Sequence, residues 1–182
     1  DRTPFLLSKA KDASSETAEG GRVPGIEWVQ SDMRDFARPE AFDLVINLYT
    51  SFGYFEAPED DLLVLRNIYK CLKTGAKLVI EMMGKEILAG IFTETVSTEM
   101  EDGALYIQKH SIVNDWTMME NRWIVLRGGE YTNYNFKHRI YSARELKLLV
   151  LSADFINIRC YGSLSGIPYN EKANRLVLVA EK

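Results

Sequence analysis

The sequence predicts an α/β protein: a mostly parallel sheet flanked by helices, interrupted by an antiparallel β insertion. Three observations predict it. Residues 42–48 and 77–82 are nearly continuous apolar runs, which is how strands buried on both faces of a parallel sheet read. An amphipathic helix pattern lies between them at 58–73, and strand–helix–strand alternation favours parallel pairing. After about residue 92 the chain turns to short segments rich in Thr, Tyr, Trp, Val and Ile, separated by tight-turn signals.

Residues 4–18 place Phe5, Leu6, Lys9, Ala10 and Ala13 in rough helical register, and Gly20-Gly21 and Pro24-Gly25 end that helix. A short strand follows at 26–30, then a loop at 31–41. In the 58–73 helix, Pro58 suits the first turn and Glu59, Asp60 and Asp61 suit its positive end. Leu62, Leu65, Ile68, Tyr69 and Leu72 share its apolar face. Lys73 and Gly75 mark the stop. Four further strands are expected at 93–100, 104–113, 120–127 and 131–141, with turns at Asp102-Gly103, Asn114-Asp115 and Gly128-Gly129. Ser142 and Glu145 form a capping box opening a late helix with Leu146, Leu149 and Val150 inward. Strands at 155–161 and 175–181 finish the chain. The expected division is a core at 1–92, an insertion covering the site at 93–141, and a closing helix and strands at 142–182.

The 182 residues suit one domain of average globular composition. No stretch approaches the roughly 20 apolar residues a bilayer span needs. Net charge is -4, with no basic stripe, so neither nucleic acid nor a membrane is an expected partner. Cys71 and Cys160 fit no metal-ligand spacing and read as buried free thiols in a reducing cytoplasm. Asp1-Arg2-Thr3-Pro4 is not a signal peptide, and no Met precedes it, which suggests a start partway through a gene product.

Several segments, in order, resemble the class I S-adenosylmethionine-dependent methyltransferases of the small-molecule type, a Rossmann-like fold. GIEWVQSDMRDF at 25–36 resembles the family's third strand with its acidic tip. FDLVINLYTSFGYF at 42–55 resembles the fourth strand and the loop over the methionine. LKTGAKLVIEMM at 72–83 resembles a helix end, glycine turn and fifth strand; YSARELKLLVLSADF at 141–155 resembles the late helix. DRTPFLL at 1–7 resembles the tip of the second strand. The family's E/DxGxGxG turn matches nothing here, so the resemblance implies that this turn lies upstream of Asp1 and that the chain alone holds cofactor weakly.

By that resemblance, Asp1, beside Arg2, accepts from the ribose hydroxyls of S-adenosylmethionine. Asp32 accepts from the adenine amino group, and Met33 packs on the ring or donates its backbone N–H. The Asn47 carbonyl, with Leu48, faces the methionine part. The alternatives are an exposed terminal Asp, a loop Asp capping a turn, and a strand-end hydrogen bond. Tyr49, Phe52, Tyr54 and Phe55 wall the cationic sulfur or simply pack in the core. Methyl transfer is an in-line displacement that needs positioning and sometimes a base. His110 and His138 are the catalytic candidates, both in the insertion. His110 resembles in position a histidine of some sugar-amine N-methyltransferases, and a structural role is the alternative for each. Arg122, Tyr134 and Arg139 are candidates for an anionic substrate group; no metal is expected.

The expected activity is methyl transfer to N, O or C of a small molecule. The rivals are a non-catalytic module that binds a partner or forms a homodimer through its aromatic insertion, and a Rossmann-type nicotinamide oxidoreductase, which the SDM segment and the 42–48 strand fit poorly.

Overall fold

Alternating apolar runs and helical stripes give, in the computed structural model, two four-stranded sheets; residues 1–16 and 25–182 are described. The helix ending at Glu16 is α1 (Pro4–Glu16). The expected residues 17–18 of that helix and the punctuation at 20–24 lie outside the described residues. The apolar runs become β1 (Phe42–Asn47) and β2 (Leu72–Met82), and α2 (Pro58–Cys71) crosses between them. Phe42 to Asn47 pair in parallel with β2. The stop at Lys73 is corrected: α2 ends at Cys71, because Leu72 is already extended (φ −76°, ψ 144°) and starts the strand. Gly75, at φ +76°, donates its N–H to the Lys182 carbonyl. A short helix that the sequence pattern did not suggest, α3 (Lys85–Ile91), follows β2.

The second sheet is a meander of β3 (Thr95–Glu99), β4 (Leu105–Val113), β5 (Met118–Arg127) and β6 (Glu130–Arg139), antiparallel throughout. Gly128 and Gly129 both take positive φ in a two-residue hairpin turn, while the preceding hairpin turns through the four residues 114–117, of which Asn114, Asp115 and Trp116 take positive φ. Both halves of the Ser142–Glu145 capping box are present at the start of α4 (Ala143–Leu151). β7 (Ile156–Tyr161) and β8 (Leu176–Glu181) complete the first sheet in the order β1-β2-β8-β7.

The expectation of a mostly parallel sheet needs correction. In the first sheet β1–β2 is parallel, but β8 is antiparallel to both β2 and β7. The cause is the connection: residues 162–175 hold no helix, and a chain that turns back without a crossover lies antiparallel. The strand expected at 26–30 is not assigned as one. It still carries the two bonds of a parallel bridge, Asp1 N–H to Val29 O and Ser31 N–H to Asp1 O, both 3.1 Å.

A further correction concerns β1, which was expected to be buried on both faces. Leu44 is 53% and Ile46 58% exposed. Among the described strands β1 is an edge, paired only with β2. The core lies between the sheet and α2 and α4: Leu65, Leu78, Ile80, Leu146, Val150 and Leu178 are all fully enclosed. Each such side chain contributes about 1.5–3 kcal/mol by leaving water. Tyr69 meets Phe155 edge-on at 5.2 Å across this layer. Cys71 is buried as expected; Cys160 is only half-buried, because β7 lies at the other sheet edge.

Candidate active site at the strand tips

The chain leaves β1 at its carboxyl end through two consecutive residues in left-handed backbone, Tyr49 (φ 57°) and Thr50 (φ 56°). Non-glycine residues rarely hold this conformation unless their surroundings impose it. Here Glu81, buried at the end of β2, accepts from the Tyr49 N–H at 2.6 Å and pairs with Arg175. The Arg175 guanidinium donates to Thr50 Oγ1 at 3.0 Å. Strand alternation, with Leu44 and Ile46 outward, sets the last residue of β1, Asn47, facing inward.

Asn47, Asp1 and Met33 line one cleft of about 710 Å³, together with apolar walls from Val45 and Val64. Asn47 Nδ2 points at Met33 Sδ, 3.7 Å away. Its Oδ1 is buried and accepts no hydrogen bond among the described residues. Asp61 Oδ1 and Trp123 Nε1 are likewise buried without a partner among the described residues, but of the three residues Asn47 alone lines this cleft, where its oxygen is free to accept from a donor. Asp1 is exposed; its Oδ1 accepts from the Thr3 N–H at 2.7 Å, a short turn that launches α1. Arg2 is largely in solvent, 3.7 Å from Asp32.

Asp32 does not line the cleft, although Ser31 and Met33 on either side of it do. Its carboxylate is turned onto Arg34. Oδ1 accepts from the Arg34 backbone N–H (2.9 Å) and Nε (3.0 Å), and Oδ2 from Nη2 (3.0 Å). These Arg34 bonds hold the Asp32 carboxyl down at about 2. The same guanidinium reaches Asp60 of α2 and covers the Phe55 ring at 4.7 Å. Asp32 therefore anchors the 31–36 turn to α2, the turn-capping alternative weighed above. Leu48 likewise spends its carbonyl locally, accepting from Ser51 N–H and Oγ.

Of the loop aromatics, Phe52 is core and Tyr49 is almost fully exposed. Tyr54 stacks on His138 at 5.2 Å and on Phe136 at 6.2 Å, joining the second sheet to the loop. Strand alternation puts His110, Asn121 and Phe136 in one cross-strand row on that inner face. His110 Nδ1 is 2.8 Å from Asn121 Oδ1, and His138 Nδ1 is 3.3 Å from Asn121 Nδ2. Burial, reinforced by the positive charge His110 can carry, pushes the His138 imidazole below its usual range. The two histidines thus meet through a third side chain.

The anion-binding candidates fare differently. Arg139 is committed internally: Nε to buried Asp61 at 3.3 Å and Nη2 to the Glu56 carbonyl at 3.0 Å. Tyr141 also donates to Asp61, at 2.6 Å. Arg122 Nε donates to Asn133, and Tyr134 is more than half exposed. Sequence reasoning passed over Arg34, Asn121, and the Glu81–Arg175 pair. Asn121 carried a readable signal, a polar residue in the otherwise apolar row Met119, Trp123, Val125 of β5. Glu81, an acid closing an apolar strand, carried another. Among the described residues there is no cluster of three or more His, Cys, Asp or Glu able to hold a metal, and no helix is long and apolar enough to cross a membrane.

No family model and no curated protein matches the chain by sequence. Solved structures do match by shape. The CcbJ methyltransferase from Streptomyces caelestis superposes on all of this chain and 77% of its own, with TM-score 0.83 at 14% identity. The sugar N-methyltransferase KedS8 from Streptoalloteichus covers all of this chain and 69% of its own (TM-score 0.71, 14% identity). CalS10, an amino pentose methyltransferase from Micromonospora echinaspora solved with S-adenosylmethionine bound, covers all of it and 71% of its own (TM-score 0.64, 18% identity). With β8 antiparallel beside β2 and the polar strand tips converging on one cleft, the chain has the fold of the class I S-adenosylmethionine-dependent methyltransferases.

Proposed function

We propose that this chain serves methyl transfer from S-adenosylmethionine to a small-molecule acceptor, with a nitrogen nucleophile favoured over oxygen or carbon. The observation that carries the reading is the buried, unpartnered Oδ1 of Asn47 in the cleft shared with Asp1 and Met33. The donor chemistry fits the cofactor. An amide oxygen accepts from an ammonium, a carboxylate offers two oxygens to a vicinal diol, and a thioether packs on an aromatic ring. The likeness to KedS8, a sugar N-methyltransferase, favours nitrogen.

When bound, the cofactor supplies a methyl group activated by a cationic sulfur. The chain's own residues do the rest. Asn47 holds the amino-acid end. Asp1, next to Arg2, orients the ribose, while Met33 covers the adenine and Leu48 closes the methionine side. Asp32, turned onto Arg34, keeps the 31–36 turn and with it Met33 in place. His138 meets the strand-tip loop at Tyr54, and His110 joins His138 through Asn121 on the second sheet. There His110 takes the proton that an amine sheds as it becomes nucleophilic.

The test is titration calorimetry of S-adenosylmethionine and of its demethylated product into the gene product carrying this chain. Saturable binding of both is expected. No heat at millimolar ligand would remove the reading.

A further inference from the structure

Asn121 is 5% exposed and lies between two imidazoles. Its Nδ2 also faces the Met119 carbonyl at 3.4 Å. A carbonyl only accepts, so the nitrogen end of the amide belongs on that side, toward His138, and the oxygen end faces His110. The rest follows from donor and acceptor counting. An amide oxygen cannot donate, so His110 Nδ1 must carry the proton of the contact. An amide N–H cannot accept, so His138 Nδ1 must be bare. A neutral imidazole has one N–H, which leaves His110 Nε2 bare and His138 Nε2 protonated.

We propose that Asn121 is a positioning residue that holds His110 and His138 in opposite tautomers, making His110 Nε2 the proton acceptor and His138 an N–H donor. The division of labour rests on the methyl-transfer reading; the tautomer lock itself does not. In the reaction, the bond from nucleophile to methyl carbon forms as the bond from that carbon to sulfur breaks. The proton shed by the nucleophile passes to His110 Nε2. The resulting imidazolium keeps its Nδ1–H on Asn121 Oδ1, where a charge-assisted bond steadies it. His138 stays neutral because its ring is buried under Tyr54, and the charge lowering its affinity for a proton is His110 itself.

The test uses the gene product labelled with ¹⁵N-histidine and long-range ¹H–¹⁵N correlation spectra, which show which ring nitrogen carries hydrogen. Above the titration of both rings, wild type should show His110 as the Nδ1–H form and His138 as the Nε2–H form. Asn121→Asp, close in shape, presents two oxygens that only accept. It should leave His110 unchanged while moving the His138 proton to Nδ1 and raising that ring's pKa by about one unit or more. Asn121→Leu should release both rings from their assigned forms. His110 found as Nε2–H in wild type, or a His138 pattern unchanged in Asn121→Asp, would overturn the proposal. If the leucine variant fails to fold, the aspartate variant decides alone. Opposite tautomers in a protein that binds no cofactor would remove the base role with the methyl-transfer reading and leave the lock standing.

Discussion

Asn47→Leu should make the protein more stable and a worse binder. In the wild type, Oδ1 is cut off from solvent and accepts no hydrogen bond among the described residues, and Nδ2 has only a 3.7 Å contact to a thioether. A buried unsatisfied polar group costs about 1–3 kcal/mol. Leucine keeps the branched four-atom skeleton but is larger, and the cleft beside it gives the methyls room, so much of that cost should be recovered. A gain near 1–2 kcal/mol corresponds to a rise in Tm of roughly 2–8 °C for a domain of this size. In the liganded protein the same oxygen accepts from a cationic ammonium, a bond worth about 1.5–3 kcal/mol. Its loss should weaken S-adenosylmethionine binding by roughly 10- to 150-fold. Both quantities come from one preparation, by circular-dichroism melts and titration calorimetry. A lower Tm together with unchanged affinity would refute the assignment of Asn47 as a ligand-facing acceptor.

Two further outcomes are expected. Asp32 is held at about 2 in the folded protein by Arg34, against an ordinary 3.8, so its stabilising contribution is full above about pH 4 and is lost as pH falls toward 2. The difference in urea midpoint between wild type and Asp32→Asn should therefore shrink across that window, and a constant difference would detach Asp32 from acid stability. Gly53 sits at φ +98° with the Arg139 carbonyl oxygen 2.6 Å from where a Cβ would stand. Gly53→Ala should destabilise the fold by about 2 kcal/mol through strain and the displaced backbone, and an unchanged urea midpoint would show that the loop and β6 are free to separate.

The alternation of β1, α2 and β2, the hairpin turns at Gly128-Gly129 and Asn114, and the Ser142–Glu145 cap were all legible, because each depends on residues close in sequence. Sheet direction was less so. Leu176 to Glu181 is as apolar as a parallel strand, and only the helix-free connection before it makes it antiparallel. β1 misled for a related reason: its pattern speaks of burial on both faces, while its partners are a matter of topology. At the candidate site, Asp1, Met33 and Asn47 were legible through the resemblance to a family, and the strand pattern alone did not single them out. The Arg34 clamp on Asp32 was not legible, because an arginine two residues from an aspartate is usually just a solvated charge. Asn121 shows the same limit from the other side. Its polarity on an apolar row was visible, but the two histidines it joins come from strands 11 and 17 residues away.

The relation between the cleft and the histidines is set by one stretch of chain, 48–61, which follows Asn47 directly. Tyr54 stacks on His138, the Gly53 carbonyl accepts from Arg139 N–H at 2.6 Å, and Asp61 takes bonds from both Arg139 and Tyr141. Asp61 is fully buried, and desolvation raises its carboxyl against the opposing pull of Tyr141 and Arg139. A folded pKa above the unfolded one means that this carboxylate favours folding in acid and loses that contribution as pH rises through its folded value. At neutral pH an apolar residue would serve stability at least as well. What an apolar residue cannot do is accept two donors arriving from the end of β6 and the entry to α4 at one point. By that argument the carboxylate fixes where the histidine-bearing sheet meets the strand tips, and stability at neutral pH is given up for that placement.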